Sequence, residues 1–246
     1  MPNKLLLTIN RVYMKKLVVF TGAGMSADSG LSTFRDSDGL WVNRRVEDIC
    51  TPEALVHNRA DVIDFYNQRR RDALAAEPNA GHYANAKLEK YFETYVITQN
   101  VDNLHERAGS TNVVHLHGEL TKLCSSRNTE DFISIDGWEQ KLDERHPDGS
   151  LLRPYIVFFG ESVPMFDKAA KIAAQADLMV VIGTSLAVYP AASLLFYAPH
   201  DAPVWLVDPG EPSLVGVRNP LTHIKKRSAE GTPELVEMLI NGAAEK

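Results

Sequence analysis

Leu17-Val18-Val19-Phe20-Thr21-Gly22-Ala23-Gly24-Met25-Ser26-Ala27, running on through Asp28-Ser29-Gly30-Leu31-Ser32-Thr33-Phe34-Arg35, is the stretch from which the fold is read. Leu17 to Phe20 is a short apolar run, β-branched in its middle, with the length of a buried strand. Gly22 to Ala27 fits G-x-G-x-x-G/A, the pattern of a strand turning into a helix. Two glycines let the backbone turn tightly and approach a pyrophosphate, and small Ala27 lets the helix pack near the strand. N–H groups at the helix start would then offer an anion site. The same residues also suit an ordinary strand-to-helix turn, and the glycines alone do not choose.

In a dehydrogenase-type unit a second strand ends in an acid about 20 residues beyond the glycines, where it holds a ribose. Counting on from Gly22 reaches Leu40-Trp41-Val42-Asn43, which does not end an apolar strand. The chain instead offers the small, polar loop Ser29 to Asp36 with one aromatic residue and one arginine. This reads as a flap over a ligand, with Arg35 near phosphate and Phe34 against a ring, or as an exposed loop with a buried Phe.

The 246 residues are 44% hydrophobic and 24% charged, an ordinary globular profile. That length suits one large domain or a main domain with an inserted module. A net charge of −6 argues against non-specific nucleic-acid binding. No apolar run approaches the ~18 residues of a membrane span, and none reads as a secretory signal. Residues 1–13 read as an extension ahead of the first strand. Two cysteines, Cys50 and Cys124, give no disulfide framework and suit a reducing, cytoplasmic setting.

Beyond the flap, residues 42–80 read as largely helical, with Thr51 an N-cap before Pro52. Ala60 to Ala76 carries Val62, Ile63, Phe65, Tyr66, Ala73 and Leu74 at helical spacing around the basic run Arg69-Arg70-Arg71. Another helix spans His82 to Phe92. Strands follow at Tyr95–Thr98, Val113–Leu116, Tyr155–Phe159, Leu178–Ile182 and Val204–Val207, with helical segments at Asp167–Ala176 and Ala191–Tyr197. Thr232-Pro233-Glu234 reads as the cap of a final amphipathic helix. The alternation predicts an α/β fold with a doubly wound parallel sheet, and residues 120–152 a smaller lobe.

Polar residues gather where such a sheet presents them, at strand carboxyl ends: Gln99-Asn100-Val101-Asp102-Asn103, His117-Gly118-Glu119, Gly183-Thr184-Ser185 and Asp208. Asp208 can hold a ribose diol or simply serve the turn before Pro209-Gly210. His117 is the leading acid–base candidate among eight histidines, with Gly118 leaving room beside its ring. His115 shares its strand face, so a His-x-His metal pair is conceivable, though no third ligand stands at metal spacing. Neither cysteine has a nucleophile arrangement, so both read as inert thiols. Tyr66 and Arg69, at i and i+3, share a helix face and could hold a carboxylate, or form a solvated surface.

Taken together, the motifs resemble the sirtuin family of NAD-dependent protein lysine deacylases. The carrying residues are Gly22-Ala23-Gly24-Met25-Ser26, Ser29 to Arg35, Thr98 to His105, His115-Leu116-His117-Gly118-Glu119, Val157 to Glu161 and Gly183-Thr184-Ser185, in the family's order from Leu17 onward. The resemblance implies a Rossmann-type domain of residues 14–40, 81–118 and 153–246, and a small lobe of 41–80 and 119–152. It implies NAD as co-substrate and acyl-lysine proteins or peptides as partners, with neither nucleic acid nor membrane. His117 would be the general base, with Gln99, Asn100 and Asp102 around the nicotinamide and its ribose. Gly22, Ala23, Gly24, Ser26, Phe34, Arg35, Trp41 and Val101 would line the dinucleotide pocket, with Gly183, Thr184, Ser185, Asp208 and Ala229 toward the adenosine. Val157, Phe159, Gly160 and Glu161, together with Leu186 to Val188, would flank the substrate as neighbouring strands. The implied reaction moves the acyl group to ADP-ribose and releases nicotinamide and free lysine. An NAD glycohydrolase and an NAD-sensing module are the alternatives.

Tyr66-Asn67-Gln68-Arg69 matches the Tyr-x-x-Arg of the sirtuin class that removes malonyl and succinyl groups, which would place Tyr66 and Arg69 on the acyl carboxylate. The sequence departs from the family in two places. Most members bind zinc through two Cys pairs, whereas only Cys124 stands near the first such position. The lobe is therefore expected to carry no zinc and to hold together through Phe132, Ile133, Ile135, Trp138 and Leu142. Ser32 also stands where the family usually has Pro.

Overall fold

A computed structural model of the chain describes residues 14–33 and 45–244; Phe34, Arg35 and Trp41 lie outside the described residues. In chain order the elements are β1 (Lys16–Thr21), α1 (Gly24–Ala27), α2 (Val46–Ile49), α3 (Pro52–His57), α4 (Arg59–Ala75), α5 (Ala80–Leu88), β2 (Glu93–Thr98), α6 (Leu104–Arg107) and β3 (Val113–His115). They continue with β4 (Gly118–Ser125), β5 (Phe132–Ser134), β6 (Leu152–Ile156), α7 (Phe166–Ala173), β7 (Leu178–Ile182), a 3-10 segment over Ala191–Tyr197, β8 (Val204–Val207), β9 (Leu221–Ile224) and α8 (Ser228–Ala244).

Six strands form a parallel sheet in the order β3-β2-β1-β7-β8-β9. β1 and β7 sit at its centre and are covered on both faces, which is why they are uninterrupted apolar runs. Val18, Phe20, Met179 and Val181 face α7 and the 3-10 segment. Leu17, Val19, Val180 and Ile182 face Leu88 of α5 and Leu235 and Val236 of α8. The strand order reverses between β1 and β7, so their carboxyl ends open a crevice there.

A second, antiparallel sheet in the order β5-β4-β6 packs with α2 to α4. β6 starts three residues before the expected Tyr155–Phe159 and pairs with β4, so residues 153–156 belong to the small sheet rather than the large one. Gly118 is required here for a different reason from room beside a histidine. Its φ is +85°, and a Cβ would lie 2.0 Å from the Tyr155 carbonyl oxygen.

The expected apolar staple of this lobe is not what holds it. Phe132, Trp138 and Leu142 are 44%, 40% and 51% exposed. Polar side chains of α4 fasten it instead. Arg70, almost wholly buried, donates to the carbonyls of Leu120 (2.6 Å) and Trp138 (2.7 Å) and to Asn67 Oδ1 (2.9 Å). Asn67 exchanges bonds with the Gln140 backbone, and Arg59 reaches the Leu142 and Leu152 carbonyls. The basic run therefore contains a structural arginine that its charge disguised.

Thr51 caps α3 as expected, accepting from Ala54 N at 3.1 Å. The final helix, however, starts at Ser228, and Pro233 lies inside it, where only the bond to the Ala229 carbonyl is lost. Strand β9 is absent from the sequence reading because as an exposed edge it lacks an apolar alternation.

Candidate active site

The turn after β1 is built by contact between glycines. Gly22 N–H donates to the Ile182 carbonyl and Gly24 N–H to that of Gly183 (3.0 and 2.9 Å). A Cβ on Gly24 would lie 2.7 Å from Gly183 Cα, and one on Gly22 would lie 2.7 Å from Thr184 Cβ. The glycines thus let two strand ends meet. At the helix start the Met25 and Ser26 N–H groups likewise donate to backbone carbonyls, those of Gly22 and Ala23, and α1 is a single turn.

At the carboxyl end of β2, Gln99, Asn100 and Asp102 converge on this turn. Gln99 Nε2 donates to Thr184 Oγ1 at 3.0 Å, tying the β2 and β7 ends together. Asn100 Nδ2 donates to Ser26 Oγ (3.0 Å), which donates to Asp102 Oδ2 (2.9 Å). Ser26 is buried and positions these two side chains. Burial raises the pKa of Asp102, opposed by its bonds from Leu104 N–H and Ser26 and by the charges of His115 and Arg69.

His117 Nδ1 lies 3.1 Å from the Gln99 carbonyl, which can only accept, so Nδ1 carries the proton and Nε2 is the basic nitrogen. Burial lowers its pKa despite that bond, keeping the ring neutral near pH 7. The conceivable His-x-His pair does not form. His115 spends Nδ1 on the Asn100 carbonyl (2.9 Å) and Nε2 on Glu106 (2.7 Å). Burial lowers its pKa, but Glu106 outweighs this and the net shift is upward.

On α4, Tyr66 is buried and Arg69 half-buried one turn later. Tyr66 stacks on Phe158 at 5.7 Å between centroids and its hydroxyl lies 3.2 Å from Cys50 Sγ. Arg69 lines a small cavity together with Gly30, Leu31, Ser32, Asp72, Ala73 and Leu120. Arg69, Tyr66 and Cys50 influence one another electrostatically, and Arg69 also acts on Asp102.

Val157 N–H donates to the His117 carbonyl and Phe159 N–H to that of Cys50. Glu161 is committed to its own loop: its carboxylate takes two bonds from Arg153 (2.6 and 2.9 Å) and one from Phe158 N–H (2.7 Å). Phe159 is 52% exposed, and Gly160 has φ +91°. Leu186 is buried, whereas Ser185 and Ala187 are exposed. Asp208 follows β8, whose last residue, Val207, accepts from Gly183 N–H through its carbonyl. Asp208 Oδ1 accepts from Gly210 N–H at 2.8 Å, so the turn bond is real, and burial raises its pKa. Ala229 N–H donates to Asp28 Oδ2 at 3.1 Å. Val101 is buried with Tyr66 and Phe158 in the core of the small lobe.

Cys124 is buried in β4 with Sγ 3.8 Å from the Pro154 carbonyl. Among the described residues no group of three or more His, Cys, Asp or Glu could hold a metal ion. Among them, too, no helix is long and apolar enough to cross a membrane.

The sheet order, with polar side chains gathered at the β1–β7 reversal, is that of a dinucleotide-binding Rossmann-like fold. The Sir2 family model matches residues 22–190, and the chain belongs to the Sir2 family. It is 51% identical over 232 residues to an NAD-dependent protein deacylase of Bacteroides thetaiotaomicron, covering 92% of this chain and 99% of that protein. A protein of the same description from Helicobacter pylori strain 26695 is 48% identical over 198 residues, covering 80% and 85%. Among solved structures, a Sir2 homologue in complex with ADP-ribose superposes with a TM-score of 0.87 at 36% identity, covering 95% of both chains. A Sir2 homologue in complex with NAD gives 0.83 at 36% identity over 94% and 91%.

Proposed function

We propose that this Sir2-family protein is an NAD-dependent protein lysine deacylase, and that its acyl pocket takes chains ending in a carboxylate. The observation that carries the second part is Arg69, which lines a cavity with Gly30, Leu31 and Ser32, and Tyr66 one turn earlier on the same face of α4. A buried phenol and a planar guanidinium one helical turn apart suit a carboxylate, which can take one bond from each.

Gln99, held by Thr184, and Asn100 and Asp102, held by Ser26, bring side-chain amides and a carboxylate acceptor to the glycine turn, a set whose chemistry fits NAD. NAD, when bound, supplies the ribosyl carbon to which the acyl group is joined. Gln99, Asn100 and Asp102 hold the nicotinamide ribose, with Gly22, Ala23, Gly24 and Val101 along the dinucleotide. Gly183, Thr184, Ser185, Asp208 and Ala229 stand on the adenosine side. His117 takes a ribose hydroxyl proton at Nε2, its other nitrogen fixed by Gln99. The Val157 and Phe159 N–H groups are taken by the His117 and Cys50 carbonyls, so it is their carbonyls and the Gly160 backbone that pair with the substrate peptide, while Glu161 keeps their loop in shape. A net charge of −6 supports protein rather than nucleic-acid partners, and two free, buried thiols support a cytoplasmic setting.

The test is mass spectrometry of acetyl-, malonyl- and succinyl-lysine peptides incubated with and without NAD. Deacylation requires NAD and disappears in His117→Ala, and Arg69→Met depresses desuccinylation far more than deacetylation. Equal losses on both peptides would remove the carboxylate reading. Nicotinamide release that does not require an acylated peptide would point to an NAD glycohydrolase instead.

A further inference from the structure

Cys50 is fixed more firmly than a loop residue needs to be. At the end of α2 its N–H donates to the Val46 carbonyl at 2.8 Å, and its own carbonyl accepts from Phe159 N–H at 2.9 Å. Its side chain is thereby aimed into the core of the small lobe, where it is 5% exposed and Sγ meets the Tyr66 hydroxyl at 3.2 Å. That hydroxyl belongs to a ring held by stacking on Phe158 and by edge contact with Phe65 at 5.1 Å. With the ring packed on both sides, the direction of the phenol proton is the degree of freedom that its partners choose.

A phenol has one proton and can accept as well as donate. If it donates to sulfur, a weak acceptor, its proton points away from any ligand. If the thiol donates to the phenol oxygen, the phenol proton turns toward the ligand, and a chain S–H to O–H to carboxylate is polarised along its length. A bound carboxylate selects the second arrangement, since it is much the stronger acceptor. Burial pushes the Cys50 thiol up to about 11, so it retains the proton it must donate. We propose that the Cys50 thiol donates to the Tyr66 oxygen and so directs the Tyr66 hydroxyl at the acyl carboxylate, making Cys50 a positioning residue for acyl-chain selectivity. This rests on the reading of Tyr66 and Arg69 as the carboxylate site.

The experiment measures kcat and KM for succinyl and acetyl versions of one peptide in the wild type, Cys50→Ala, Cys50→Ser, Tyr66→Phe, Cys50→Ala with Tyr66→Phe, and Arg69→Met. Cys50→Ala lowers the succinyl-to-acetyl ratio of kcat/KM by about three- to tenfold, the size of one hydrogen bond, chiefly through the KM of the succinyl peptide. Cys50→Ser, which keeps a donor, restores part of the ratio. In the Tyr66→Phe background Cys50→Ala has no further effect, a result that a packing role would not give. The inference is overturned, with the carboxylate site intact, if Tyr66→Phe and Arg69→Met lower the ratio but Cys50→Ala does not, or if Cys50→Ala costs the same with and without the Tyr66 hydroxyl. If neither Tyr66→Phe nor Arg69→Met moves the ratio, the carboxylate site falls and the inference with it.

Discussion

Gly24 and Gly183, one after each central strand, meet backbone to backbone. The N–H of the first donates to the carbonyl of the second at 2.9 Å, and Gly183 takes φ +60° to allow it. A Cβ on Gly183 would lie 2.4 Å from Met25 N, so only backbone movement could admit it. Gly183→Ala is expected to destabilise the protein by about 2 kcal/mol or more and to raise the KM for NAD, because the β1 and β7 ends must part. Thermal melts and NAD titrations check this. An unchanged melt would show that the contact is not tight.

The pH–rate profile follows from His117. Burial holds its pKa below the ordinary histidine value, so the basic form persists as pH falls past that value. The acid limb of kcat/KM is expected below about pH 6.5. A limb above 6.5 in free enzyme would contradict the buried, neutral ring.

Acid stability is governed by another pair. His82 and His105 are buried with ring centroids 4.9 Å apart, and burial lowers the pKa of His82 to about 4 and that of His105 well below normal. Both are neutral when folded and titrate normally when unfolded. Their contribution is therefore complete above about pH 6.5 and is lost on acidification toward the folded pKa, by about 3 kcal/mol for His82. His115, shifted upward, works in the opposite direction, stabilising below its unfolded pKa and losing that contribution as pH rises. Urea unfolding at pH 7 and pH 5 is expected to show a smaller pH dependence in His82→Leu than in wild type. Parallel curves would exclude His82 as the titrating group.

The small lobe should depend on α4 rather than on metal. Arg70→Met removes three donated bonds and is expected to destabilise the protein by about 3 kcal/mol. A chelator should leave the melting temperature and the deacylation rate unchanged. Metal analysis finding one tightly held zinc per chain would refute this account of the lobe.

Strand positions were legible wherever burial on both faces demanded an unbroken apolar run. Leu178–Ile182 and Val204–Val207 fall where the sequence puts them. The polar strand ends Gln99 to Asp102 and His117 were legible because the C-terminal edge of a parallel sheet is where such residues gather. Exposed β9 and the early start of α8 were not, since neither carries a strong periodic signal. Within the candidate site, Cys50 is too far from Tyr66 in sequence to be on the same helix face, and Arg70 reads as a surface charge among its neighbours.

By itself the sequence determined the α/β class, the buried strands of the parallel sheet and the residue types available for chemistry, because local apolar periodicity and turn residues are properties of short segments. Only the tertiary structure decided what each polar group is used for. Ser26 positions Asn100 and Asp102, Glu161 braces a loop, Arg70 fastens the lobe, and Cys50 reaches Tyr66. A polar side chain removed from water takes the partner that the fold brings to it, and those partners lie far along the chain.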